Sequence, residues 1–452
     1  MKKYNIILLS SLVVVVLFSV SCKKSFFTDA NINPNAPPTV TETYILGPVE
    51  TSIAYAIGGD MSRFTSIITQ QTFGFSRQSA AYQTYIFTEQ DFDNLWALLY
   101  ENCMYNTDTL ISQADKNGNN AYAGIGRMLL AYTLQMTVDM WGDIPYSQAF
   151  QGLQNLTPTF DKGQDVYNNI LLLVDAGIAN LNNAEPGVLL PGAEDNIYGG
   201  DPAKWILFGH AIKARIYIHQ SKNNPAMAQA ALDEANQSFT SNADNATFAF
   251  GITETNANPI YQFNEQRADI AFDISTLADT LLADNDPRYS VYVNPDFTDI
   301  NGVGLGDFFG SINSGVDLIT YDEMEFVKAE ASLRSTSDFT NADSAYRNAI
   351  RANFQKYAID DSSTSAYVSA NPISTTSADA SLATIGVQEW IALYLNPEEF
   401  TTWRRLNSPN LESQGNSAIP RRFLYPQAER SYNGANAPQA TLLTPLIFWD
   451  TP

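Results

Sequence analysis

The sequence predicts a mainly α-helical protein assembled from helical hairpins, and three observations carry that expectation. From about residue 43 onward, apolar residues recur at three- and four-residue steps. Capping residues stand where such runs begin, with Asp201 before Pro202 and Asn396 before Pro397. The runs come in pairs of similar length.

The first pair is "DFDNLWALLYENCMYNTDTLISQADK" and "AYAGIGRMLLAYTLQMTVDMW", joined by the turn "KNGNN". One stripe runs through Phe92, Trp96, Leu99, Cys103, Asn106 and Leu110, the other through Tyr122, Ile125, Leu129, Tyr132 and Met136. In the second pair, "DVYNNILLLVDAGIANL" carries Tyr167, Ile170, Leu171, Val174, Ile178 and Leu181, and "DPAKWILFGHAIKARIYIHQ" carries Trp205, Phe208, Ile212, Ile216 and His219. Asp201 caps the latter helix, and Pro202 takes its first position, where a missing N–H costs nothing. "TYDEMEFVKAEASLR" with "NADSAYRNAIRANFQKY" makes a third pair, and "SLATIGVQEWIALYL" with "NPEEFTTWRRL" a fourth. Hairpins with Tyr and Ala on the stripe look like tetratricopeptide units, without a regular ~34-residue period. Segments 70–87, 184–200, 239–273, 286–319, 360–380 and 408–452 show no periodicity and are expected as long loops.

Composition narrows the partners. Hydrophobic residues make up 45% and charged residues 16%, which excludes a disordered chain and leaves a polar, weakly ionic surface. The net charge is −23, or −25 once Lys2 and Lys3 are removed, so nucleic-acid phosphates are repelled. Two cysteines exclude a disulfide framework. Cys103 reads as a small buried hydrophobe, which leaves Cys22 to explain.

A basic start, an uncharged run from Ile6 to Phe18 and small residues Ser19 and Ser21 have the order of a secretory signal over 1–21. The run is shorter than the ~20 residues a membrane span needs. Cys22 directly after it resembles the acylated cysteine of bacterial lipoproteins, with Ser19 standing where such signals usually carry Leu. Residues 22–42 then read as a lipidated cysteine, a site for palmitate-type acyl chains, on a flexible Pro-containing tether, and residues 43–452 as the ligand-binding domain.

Catalytic motifs are absent from the sequence: there is no G-x-S-x-G, no HExxH and no Walker loop. His210 and His219, nine residues apart on one helix, point to opposite sides and cannot share a metal. No cofactor is expected. The acidic stretches "ADNDPRYS" and "NPDFTDING" have two readings, a structural calcium loop or an Asp-rich turn, and neither matches an EF-hand. Two loops are rich in aromatics: "FGFSRQSAAYQTYIF", and "RYSVYVNPDFTDINGVGLGDFF". Sugar rings stack their C–H faces on aromatic planes while amides and Arg take their hydroxyls. On that chemistry Tyr82, Tyr85, Tyr289 and Tyr292 are the candidate platforms, and Arg77, Gln83 and Asn294 the candidate polar contacts. The alternative is that these aromatics pack beneath their own loops.

"INPNAPP", "MWGDIPYSQAF", "DPAKWILFGHAIKARI", "DPRYSVYVNP", "EMEFVKAEA", "QEWIALYLNPEEFTTWRR", "RRFLYPQAERSYN" and "TPLIFWD", in this order after a lipoprotein-like leader, resemble the SusD/RagB family of outer-membrane lipoproteins of Bacteroidetes, in its SusD-like branch. The resemblance runs nearly end to end. It implies a SusD-like fold, location at the cell surface on the outer membrane, and polysaccharide utilization. The protein would act as a lid that delivers oligosaccharide or polysaccharide to a SusC-type TonB-dependent transporter. It also implies that Gly142 to Tyr146, Trp403 and Arg404 are structural. Three functions follow for comparison: a non-catalytic glycan binder, with a peptide binder of the same family as its variant; an extracellular glycoside hydrolase; and a helical adaptor whose partner is another protein.

Overall fold

Helices form where the stripes place them. The computed structural model describes residues 40–185, 189–298, 302–415 and 417–451. The leader, Cys22 and nearly all of the expected tether lie outside the described residues. Residues 42–452 form one unit, and no described helix is long and apolar enough to cross a membrane.

The body opens with helix Glu42–Ala56, whose buried Glu42 accepts hydrogen bonds from Asn117 and Asn119 (both 2.8 Å). The first expected hairpin is observed as a helical run from Asp93 to Asn117 followed by Asn120–Trp141. Gly118, at φ 73°, ends the first arm in the left-handed conformation that glycine adopts without strain. A π-helical stretch, Leu98–Met104, interrupts the first arm, and the stripe stays buried through it: Leu99, Cys103 and Leu110 are at most 1% exposed. Burial pushes the Cys103 thiol far up, as expected of an inert core cysteine.

Gly163–Asn182 packs on Asn120–Trp141, and Pro202–His219 packs on Gly163–Asn182. Asp201 caps the latter as expected, accepting from Ala203 N (2.9 Å). A helix not foreseen, Pro225–Ala235, fits between Pro202–His219 and Tyr321–Thr336. Its buried stripe is Ala228, Ala231 and Ala235, small enough for close approach but a weak hydrophobic signal. Tyr321–Thr336 pairs with Phe339–Lys356, and Ala378–Ala392 with Glu398–Leu406. Asn396 Oδ1 accepts from Glu398 N (3.0 Å), so the expected cap is made with the helix starting one residue later.

The expected loops are less bare than their sequence suggests. Arg77–Gln83, Pro259–Gln266, Asp361–Ala370 and Gln427–Tyr432 are short helices within them. "DSSTSAYVSA" has no apolar stripe; its helix starts because Asp360 accepts from Ser362 N (3.0 Å) and Ser363 N (2.9 Å).

Buried ion pairs tie the layers together. Arg215 pairs with Glu323 and Arg405 with Glu330 (3.0 Å), all at most 1% exposed as side chains. His210 pairs with Glu234 (2.6 Å) while His219 Nε2 meets Glu398 Oε1 (2.7 Å), so the two histidines do serve opposite sides of their helix.

Candidate functional site

The two aromatic loops, far apart in sequence, are mounted on one short strand. Phe73 and Gly74 pair antiparallel with Ala271 and Ile270, and Phe75 N donates to Asp269 O (3.1 Å). Just beyond, Phe272 N donates to Val303 O (3.0 Å), and Asn294 N to Gly304 O (2.9 Å). A third segment joins through Gln70 Nε2, which donates to Glu412 O (2.6 Å), and Gln414 N, which donates to Tyr85 Oη (3.4 Å). Two glycines make the close approaches: a Cβ on Gly74 would run into the Ser79 carbonyl, and one on Gly306 into that of Val291.

Within this mount the tyrosines proposed as platforms are mostly interior. Tyr82 is 2% exposed, its ring stacked on Phe87 at 4.4 Å and 2°, its hydroxyl donating to Asp91 (2.7 Å). Burial, then the Asp91 carboxylate, push that phenol well up. Tyr85 is buried with its hydroxyl accepting from Gln70 and Gln414. Tyr292 is wholly buried, stacked on Tyr394 at 4.6 Å and donating to Ile391 O (3.1 Å). Tyr289 is half-buried against the core. Gln83 accepts from Gly74 N (2.9 Å) and so braces the strand, and Asn294 bonds Thr298 (3.1 Å) inside its own turn. Arg77 is exposed at the tip and donates to Arg267 O (3.1 Å). The packing alternative therefore describes Tyr82, Tyr85 and Tyr292, whose rings have no open face in this arrangement.

The open faces belong to their neighbours. Phe75 (47%), Ile86 (64%), Ile274 (53%), Phe297 (49%) and Phe308 (46%) are among the large apolar side chains these segments expose. Backbone strain gathers here too: Gln70, Arg77, Tyr85, Ala268 and Phe297 all hold positive φ, between 46° and 62°. Non-glycine residues keep that conformation only where the surroundings impose it, as at ligand-binding loops.

Beside the tips lies a groove of about 280 Å³, lined among others by Asp60, Arg63, Asn94, Gln262 and Phe263. Its Gly59 and Asp60 belong to a π-helical turn, Ile57–Met61, a distortion that often marks functional positions. Arg63 pairs with Asp60 and lies 4.4 Å over the Phe263 ring, and Arg267 lies 5.6 Å from the same ring. Because the Arg267 carbonyl takes the Arg77 guanidinium, the groove and the first tip share a framework of planar and charged groups. Sequence patterning missed Arg63, which sits in the apolar run "MSRFTSII", and Phe263, on a helix too short to show a stripe.

Among the described residues, two acidic groups are engaged in other bonds. Asp286, from the first acidic stretch, is spent on Arg288 (2.6 Å). Asp139, His219 and Glu398 bring ligand atoms within 4.8 Å of one another. Yet Asp139 accepts from Trp449 (2.9 Å) and Gln135 (2.6 Å), and His219 bonds Tyr167 (2.8 Å) as well as Glu398, so the cluster works as a buried hydrogen-bond network.

A mainly helical body with long, partly aromatic loops resembles known proteins. A family model described as starch-binding, associating with the outer membrane, matches residues 34–426. The chain belongs to the SusD-like family. SusD-like proteins bind carbohydrate at the outer membrane and are binders rather than enzymes. Among solved structures, a SusD/RagB family protein from Bacteroides thetaiotaomicron is 25% identical, with 91% of this chain and 99% of that chain covered and a TM-score of 0.76. A chitin-binding protein aligns at 21% identity over 91% of this chain and 100% of its own, with a TM-score of 0.78. A chitin-binding SusD homologue from Flavobacterium johnsoniae aligns at 19% over 90% and 99%, with a TM-score of 0.75. No curated protein matches the chain.

Proposed function

We propose that this SusD-like protein is a lipid-anchored receptor on the cell surface that captures neutral oligosaccharide or polysaccharide on its loop tips and passes it to a SusC-type TonB-dependent transporter. The observation that carries the reading is the mount itself: open rings of Phe75 and Phe297 held by loops joined to one strand, with Arg77 and the amide- and arginine-lined groove beside them. A surface of stacking planes, amides and guanidinium donors, with Arg63 offset by Asp60, suits the hydroxyls of an uncharged glycan, and shallow stacking gives a modest affinity compatible with release. Cys22 is the proposed anchor, on the order of the leader that precedes it.

Affinity electrophoresis tests the binding step. The mature domain should be retarded in gels containing soluble starch, glycol chitin, xyloglucan or galactomannan, the second because two similar folds carry chitin-binding names. Retardation by none of them, or turnover of any, overturns the reading. Purification from detergent-solubilised membranes through a tag on this chain tests delivery: a TonB-dependent barrel should co-purify.

A further inference from the structure

A larger cleft, about 410 Å³, is lined among others by Asn242, Phe308, Phe309, Lys356, Tyr357 and Tyr394, and shares Ile260 with the groove beside the loop tips. Three features set it apart from ordinary packing space. Tyr394 is 4% exposed, and its hydroxyl has no hydrogen-bond partner among the described residues. Asn242 donates its Nδ2 to Ala352 O (2.8 Å), which fixes the amide and leaves Oδ1 buried without a partner. Leu395, in the same wall, holds φ 58°. Buried polar atoms are nearly always satisfied, and two of the orphans belong to residues that line this one cleft.

The walls also say what kind of partner. Phe308 lines the cleft, is 46% exposed and stands perpendicular to Tyr357 at 4.8 Å, so part of an aromatic ring is open there. Lys356 is already held by the carboxylates of Asp317 (3.3 Å) and Asp322 (3.7 Å), while Lys204, at the cleft's more exposed side, donates to Ala243 O (2.8 Å). An aromatic face with a free phenol and a free amide oxygen matches a neutral ring bearing hydroxyls. The volume lies at the lower end of the roughly 300–1,000 Å³ usual for small-molecule sites, room for a short ligand and not for a passing chain.

We propose that this cleft is a terminal pocket, taking the end of a neutral oligosaccharide, about one or two sugar units, whose continuation lies along the groove and loop tips. The inference rests on the saccharide reading above and adds to it a preference for chain ends. Tyr394→Phe keeps the stack on Tyr292 and removes only the hydroxyl; Asn242→Ala removes the amide oxygen. Calorimetric titration with maltose and with N,N′-diacetylchitobiose should show one of them binding the unaltered protein, and each variant should weaken it roughly fivefold, the worth of one neutral hydrogen bond. Tyr432→Ala, an exposed aromatic that lines neither site, should change nothing. A disaccharide affinity unmoved by both cleft variants, or polymer retardation without any disaccharide binding, overturns the terminal pocket and leaves the loop-face reading standing. Absence of both polymer and disaccharide binding overturns the two together.

Discussion

Arg288 and Asp286 form a wholly buried ion pair, with Nη2 2.6 Å from Oδ2 and Nε 3.0 Å from Oδ1. The same guanidinium donates to Gln388 (2.8 Å), Asn353 (3.2 Å) and Tyr367 (3.3 Å), so it ties the base of the 286–319 loop to three helices. Arg288→Met should lower stability by about 3–5 kcal/mol, because Asp286 is left buried and unpaired. Arg288→Met with Asp286→Leu should recover part of it, as measured by urea unfolding. Burial works to raise the Asp286 carboxyl, but Arg288 and its hydrogen bonds outweigh that and hold it below its usual range. Its contribution is therefore present above the unfolded value near pH 4 and is lost as pH falls below it.

Glu399 predicts the opposite slope. It is wholly buried, and desolvation pushes its carboxyl up to about 8. A raised carboxyl favours the fold below the unfolded value of about 4.3 and loses that contribution as pH climbs toward 8. Glu399→Gln should remove a slope of up to about 1.4 kcal/mol per pH unit between those limits. Thermal unfolding at pH 5, 7 and 9 should show the variant gaining on the natural protein as pH rises; parallel curves would contradict the assignment.

Stability and binding should separate between Tyr82 and Phe297. Tyr82→Phe loses the hydrogen bond to Asp91 and should cost about 1 kcal/mol of stability, with glycan retardation unchanged. Phe297→Ala, at an exposed tip, should leave the melting temperature nearly untouched and weaken polymer binding several-fold. The reverse pattern would move the ligand away from the tips.

Cys22→Ser should abolish incorporation of labelled palmitate and release the protein from the membrane fraction. Labelling that survives the substitution would place any acyl group elsewhere.

The helical frame was legible because its stripes are large and regular: Trp205, Phe208, Ile212 and Ile216 are all buried as their spacing requires. The alanine stripe of Pro225–Ala235 and the serine-rich Asp361–Ala370 were not, since small and polar residues give periodicity little contrast. The loops that the structure joins at the candidate site were singled out by composition, but the orientation of their side chains was not. Tyr82 and Tyr292 look like ideal platforms in one dimension, yet each finds a ring to stack on, Phe87 or Tyr394, that sequence gives no means of placing beside it. Burial took Tyr82, Tyr85 and Tyr292 inward while Phe75 and Phe297 stayed out, against the usual ranking of residue types.

Three joints of the loop mount are main-chain: Phe75 N to Asp269 O, Phe272 N to Val303 O, Asn294 N to Gly304 O. Any residue except proline can supply such a donor, so the outward side chains are free to drift while their seating persists. Similar structures only 19% to 25% identical retain the architecture, so the protruding positions can change in sequence without rebuilding anything beneath them.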